Sequence, residues 1–145
     1  MSKIVPTISS GLSGPLGVLH LPRFWQKASL DAAGKLHDDY PGCGGGYDQM
    51  TVDALGLDKE KTLAYLKESK PTYLQFEAWV KENGSFDEAA VAKHNESVTG
   101  YIHDDDTRKE IFDGCGATDD SCAYRDAVNL NNLDDWAIFH AQELS

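Results

Sequence analysis

The chain lacks any long apolar run: no window approaches the roughly 18 consecutive apolar residues of a membrane span. Its first 22 residues, through Pro22, carry one lysine and no unbroken apolar stretch, so the pattern of a secretory signal or membrane anchor is missing. Bases are few, with 13 Lys and Arg against 24 Asp and Glu, for a formal net charge of −11. A molecule of that sign repels nucleic acid and anionic membrane surfaces, which sets both aside as partners. No acidic block exceeds three residues. The charge therefore reads first as a solvated surface, and second as a means of meeting a cationic partner. Cysteine is scarce and odd in number, and Cys43, Cys115 and Cys122 match neither a disulfide scaffold nor a C-x-x-C motif. Free thiols without an export signal point to the cytoplasm. Strand signals are nearly absent, since no four-residue run alternates β-branched or aromatic residues with polar ones. There is no internal repeat.

What is present suits helices. A length of 145 residues fits one domain, and five Phe, six Tyr and three Trp supply a core. Residues 1–20, rich in Ser, Gly and Pro, read as an extended arm whose Ile4, Val5, Ile8, Leu12, Leu16, Val18 and Leu19 lie against the body. Pro22 opens a helix to about Leu36, with Phe24, Trp25, Ala28, Ala32 and Leu36 inward and Arg23, Lys27 and Asp31 on another face. The stretch from His37 to Gly46 cannot be helical. Further helices are expected over Asp48–Leu55, closed by Gly56, and from a cap at Asp58 to Ser69. Three capping-box patterns, Thr72–Gln75, Ser85–Glu88 and Thr107–Glu110, open helices to about Asn83, Thr99 and Phe112. A last helix runs from about Asn132 to Glu143, with Leu133, Trp136, Ala137, Phe139 and His140 inward. The fold class is all-α: one domain, residues 21–145, of six to seven short helices, preceded by the arm.

The glycine-rich loop is the most unusual local feature. Gly42, Gly44, Gly45 and Gly46 cost conformational entropy, and a bare backbone before a helix N-terminus lets an anion approach the N–H groups. The spacing is that of neither a P-loop nor a dinucleotide fold, and a tight connector is the plainer reading. Arg23 and Lys27, one turn apart, share a face and can clamp a carboxylate or phosphate; pairing of Lys27 with Asp31 on a wet surface is the common alternative. Asp48 is a natural N-cap, and becomes a general base only if burial raises its pKa. Cys43 is an accessible thiol candidate with no adjacent base to activate it. The five histidines form no H-x-x-x-H or H-E-x-x-H pair, and no metal or cofactor is expected.

His20-Leu-Pro-Arg-Phe24, Lys27, Ala33-Gly-Lys-Leu36, Asp39-Tyr40, Cys43-Gly44, Asp48-Gln49 and Leu55-Gly-Leu-Asp58 resemble a bacterial domain-of-unknown-function family, number 5069. Weaker likeness runs through Ala78-Trp79-Val80, Asn83-Gly84, His94-Asn95 and the segment from Trp136 to Glu143. Departures fall at Gln26, Ser29, Pro41, Ala137 and His140, where the family usually has charged groups or, at Pro41, a histidine. The resemblance implies a helical fold of this size and draws attention to Arg23, Lys27 and Asp48; it implies no reaction.

These readings lead to a small enzyme or ligand-binding domain acting on a small anionic metabolite without a metal. Arg23, Lys27, Tyr40, Cys43, Gly44 and Gln49 would bind, with Asp48 and Lys27 as the catalytic pair. The alternative is a non-catalytic interaction module using the acidic helical surface. A homodimer is compatible with either.

Overall fold

The computed structural model describes residues 3–145. Among them run seven helices: α1 (Leu21–Ala32), α2 (Tyr47–Ala54), α3 (Lys59–Ser69), α4 (Tyr73–Asn83), α5 (Glu88–Gly100), α6 (Asp105–Cys115) and α7 (Ala127–Glu143). The fold is all-α. Among the described residues the only β pairing is two isolated bridges, Ile4 with Leu36 and Ile102 with Asp126. The expected arm begins with Met1 and Ser2, which lie outside the described residues. Beyond them it lies against the body as an irregular strap, burying Val5, Pro6, Ser10 and Val18 while Ile4 and Leu12 remain exposed.

Side-chain caps decide where most helices begin. Asp58, Thr72, Asp87, Asp104 and Asp126 each accept a hydrogen bond from a backbone N–H two or three residues on, satisfying donors that a first turn leaves open. Thr72 and Gln75 form the expected reciprocal capping box. The other two boxes do not form. Asp87 outcompetes Ser85, so α5 starts two residues later than expected. Asp104 caps α6 three residues before Thr107, and Asp105 and Asp106 fall within its first turn, where negative charge is favoured. That helix runs on to Cys115 and stops at Gly116 in left-handed backbone (φ 79°). Capping by Asp126 starts α7 five residues before the expected Asn132.

The end of α1 also differs. Gly34 takes φ 69° and the Lys35 N–H returns to the Leu30 carbonyl, so the helix ends at Ala32 and Leu36 pairs with the strap. Ala32 is exposed. Arg23 and Lys27, set by spacing on a face apart from the apolar stripe, are buried at 6% exposure each.

Two apolar clusters hold the helices. The larger joins Leu21, Phe24 and Ala28 of α1 to Val52, Leu55, Leu66, Phe76, Val80 and Val91, with Phe24 stacked on Phe76. The smaller comprises Ile111, Phe112 and Leu130. Of the inner residues expected in α7, Leu133 packs against this cluster, whereas Trp136, Phe139 and His140 are exposed. The buried face of the helix carries Ala127, Leu130 and Asp135 instead. The face of α1 not used by the larger cluster points toward α2, α7 and the strap, and there the polar residues gather.

Candidate functional site

His20 ends the strap and caps α1. Its backbone is left-handed (φ 72°), which turns the ring back under the helix, where it is 2% exposed. His20 Nε2 lies 2.6 Å from Asp48 Oδ1, and Nδ1 lies 2.8 Å from Ser10 Oγ. Asp48 is the second residue of α2 and 3% exposed; Gly46 occupies the cap position in its place. The second carboxylate oxygen, Oδ2, accepts from Lys27 Nζ at 2.7 Å and from the Gly44 backbone N–H at 2.7 Å. One carboxylate thus ties together the strap's end, α1 and the glycine loop.

The electrostatics of this group are set by burial and by its own members. Burial pushes the Asp48 carboxyl up, but the His20 hydrogen bond, the Lys27 charge and the Gly44 amide outweigh it and hold the pKa at about 2. Burial pushes His20 below its ordinary value, and the neighbouring Lys27 and Arg23 charges add to that against the pull of Asp48. The pair is therefore an ionised carboxylate and a neutral imidazole. An ionised carboxylate only accepts, so the ring proton sits on Nε2. Nδ1 then carries the lone pair and accepts from the Ser10 hydroxyl.

One turn before Lys27, Arg23 reaches the far end of the fold. Its guanidinium donates to Asp135 in fork geometry, NH1 to Oδ2 at 2.7 Å and NH2 to Oδ1 at 3.1 Å, and NH1 also donates to the Ile8 carbonyl. Tyr40 donates its hydroxyl to Asp135 Oδ1 at 2.8 Å. Burial and then the Asp135 charge push this phenol up, keeping it a donor. Asp135 thus joins α7, α1, the strap and the loop before α2.

The two clusters line a common cavity of about 300 Å³, bounded by Ser10, His20, Arg23, Lys27, Asp39, Tyr40, Pro41, Gly44 to Asp48, Asn131, Asp134 and Asp135. Lys27 and Asp48, the residues singled out as catalytic, touch each other there, and Arg23, Tyr40 and Gly44 share the wall. The fork of Arg23 is occupied by Asp135, so no free two-pronged clamp exists. Asp31 does not pair with Lys27; its side chain packs against Gly42. Two of the expected binding residues stand elsewhere. Gln49 donates to Asp53 along the exposed side of α2, and Cys43 packs toward the apolar core, its thiol pushed up by burial and then by Asp48. His20, Ser10, Asp134, Asp135 and Asn131 were not assigned a site role by sequence reasoning. Among the described residues, no three His, Cys, Asp or Glu side chains gather as a metal would require, and no helix is long and apolar enough to cross a membrane.

No protein-family model and no curated protein matches the chain.

Proposed function

We propose that this cavity binds a small polar metabolite carrying one anionic group and moves a proton on it, with His20 as the acid–base residue. The observation that carries this reading is the burial of His20 and Lys27, both in contact with Asp48, at the wall of one cavity. Buried ion pairs stabilise a fold little compared with apolar side chains of similar size. Groups with displaced pKa values in a cleft are candidate functional sites. Lys27 gives one of its three N–H donors to Asp48 and can offer another to a carboxylate or phosphate. The same lining holds Asp39, Asp134 and Asp135. These carboxylates disfavour a multiply charged anion and suit a hydroxyl or amino group. A small hydroxy- or amino-acid suits Lys27 with one of its functional groups and these carboxylates with the other.

Gly45 gives a handle for testing this reading. It is an exposed residue of the cavity lining, and a Cβ built there meets nothing within 4 Å, so a larger side chain can be introduced without displacing a neighbour. Residues His20, Arg23, Lys27, Tyr40, Gly44 and Asp48, which carry the resemblance to family 5069, also line this cavity; membership of that family belongs to the proposal. So does a cytoplasmic setting, which rests on the three free thiols.

The test is a thermal-shift screen against acetate, phosphate, methanesulfonate and small hydroxy- and amino-acids, run beside Gly45→Leu. A ligand at 100 times its Kd stabilises by about 2.7 kcal/mol, roughly 5–10 °C for a domain of this size. We expect a hydroxy- or amino-acid to raise the Tm of the wild type and not that of Gly45→Leu, whose unliganded stability changes by about 0.5 kcal/mol or less. The reading fails if no compound shifts the wild type, or if the variant responds equally.

A second reading, an interaction module, is favoured by the outer face of α7. Trp136 and Phe139 are 64% and 47% exposed and stand beside Leu12 of the strap. A stoichiometric partner recovered from cell extract, and lost on Trp136→Ser/Phe139→Ser, would move the weight to this reading.

A further inference from the structure

We infer that Ser10 is a nucleophile and that the cavity hydrolyses a small carboxylic ester, the Ser10–His20–Asp48 chain supplying the activation; this rests on the reading of the cavity as a small-molecule site. Three observations on separate elements converge on it. Ser10 Oγ sits 2.8 Å from one ring nitrogen of His20, and Asp48 Oδ1 sits 2.6 Å from the other. All three residues line the same cavity. Lys27, already bound to Asp48, lines it too and has donors to spare for an oxygen that becomes negative.

The chemistry of such a chain needs one basic ring nitrogen beside a hydroxyl and the other nitrogen held by a carboxylate. Both conditions are met here with the ring nitrogens in the order Nδ1 to serine and Nε2 to aspartate. Ser10 Oγ bonds to the ester carbonyl carbon as the carbonyl π pair moves onto its oxygen, and the hydroxyl proton passes to Nδ1. The carbonyl re-forms, the bond from carbon to the alcohol oxygen breaks, and that oxygen takes the proton from Nδ1. Water then attacks the acyl group on Ser10 and gives its proton to Nδ1. Collapse releases the carboxylic acid and returns the proton to Ser10 Oγ. The sum is ester plus water to acid plus alcohol, with no oxidant or further reactant.

A merely structural serine satisfies Nδ1 and does nothing else, and a covalent probe separates the two roles. The full chain is incubated with diisopropyl fluorophosphate, whose P–F bond yields to an activated serine with loss of fluoride. Intact mass and peptide mass then locate any adduct. The expected result is a single adduct on Ser10 of the wild type, none in Ser10→Ala, and a labelling rate lowered about 10²–10⁴-fold in His20→Asn, a residue that tolerates the left-handed backbone. Because the adduct is located on the wild type, the result stands whatever the folding of the variants. An adduct absent from Ser10, or present on another residue, overturns the nucleophile. If acetate or a hydroxy-acid still shifts the Tm of the wild type, the nucleophile alone has failed; if neither adduct nor shift appears, the reading of the cavity fails with it.

Discussion

Asp48 makes three contacts of consequence with two oxygens: His20 on one, Lys27 and Gly44 on the other. Its removal leaves a buried ammonium without a counter-charge. Asp48→Asn is expected to destabilise the fold by about 3–5 kcal/mol, read as a lower urea midpoint with an unchanged m-value. Lys27→Met should cost less, because the carboxylate keeps two of its hydrogen bonds. An equal or smaller loss for Asp48→Asn would mean that the carboxylate is not the organising group. At this scale the sequence was legible in part. Arg23 and Lys27 share a helix face by spacing alone, and Tyr40, Gly44 and Asp48 stand close by in the chain. Asp135, 112 residues from Arg23, gave no local signal, because only the tertiary fold brings α7 to α1. His20 and Ser10 were passed over for a different reason. Nothing in their neighbours' chemistry says that the chain turns left-handed at position 20 and swings the ring inward.

At the scale of the element, helix existence was readable and helix ends were less so. The apolar periodicity and Gly/Pro punctuation placed all seven helices, but left α6 and α7 shorter than they are and α1 longer. Where the cap chosen from a motif had no rival, as at Asp58 and Thr72, it holds. Where an aspartate stood nearby, as at Asp87 and Asp104, its carboxylate took the cap position instead. The box on α4 provides a clean check. Thr72→Ala removes the hydroxyl that accepts from the Gln75 N–H at an exposed position, while the Thr72 backbone N–H keeps its bond to the Gln75 side chain, and should cost about 1 kcal/mol, within a range of roughly 0.5–2 kcal/mol, in urea unfolding. Thr72→Ser should restore most of it. The element that matters most for the site is α1. Its ends are set by His20 and Gly34, and its two cations point along one face into the cavity while Leu21, Phe24 and Ala28 fill the core on the other.

For the whole molecule, the buried titrating groups make stability depend on pH in a calculable direction. His20 titrates lower in the folded protein than its ordinary 6.5. Below about pH 6.5 the unfolded chain takes that proton first, so stability falls as pH drops. Asp48, at about 2 when folded against 3.8 ordinarily, contributes about 2 kcal/mol that is fully present above about pH 4 and is lost on approach to pH 2. Asp134, raised by burial and then by Asp135, works the other way around its ordinary range and offsets part of the second step. Thermal melts should therefore show a decline beginning near pH 6.5 and a steeper one below pH 4. His20→Asn should remove the first and shrink the second, since the Asp48 carboxylate loses the His20 hydrogen bond but keeps Lys27 and Gly44. A Tm flat between pH 7 and 5 in the wild type contradicts a neutral, buried His20. The net charge of −11 and the helix-rich pattern were open to reading from composition, whereas this pH response was not, since it arises from contacts between distant parts of the chain.

Both proposals for the cavity turn on one protonation state, and ¹⁵N NMR of the His20 imidazole measures it directly. The expected spectrum at pH 7 shows a neutral ring protonated on Nε2, with an unprotonated Nδ1, and a titration that begins only below 6.5. Two protonated ring nitrogens at pH 7 would make His20 a cation locked to Asp48, with no lone pair for Ser10 or for a ligand, and would contradict the site as a centre of proton transfer.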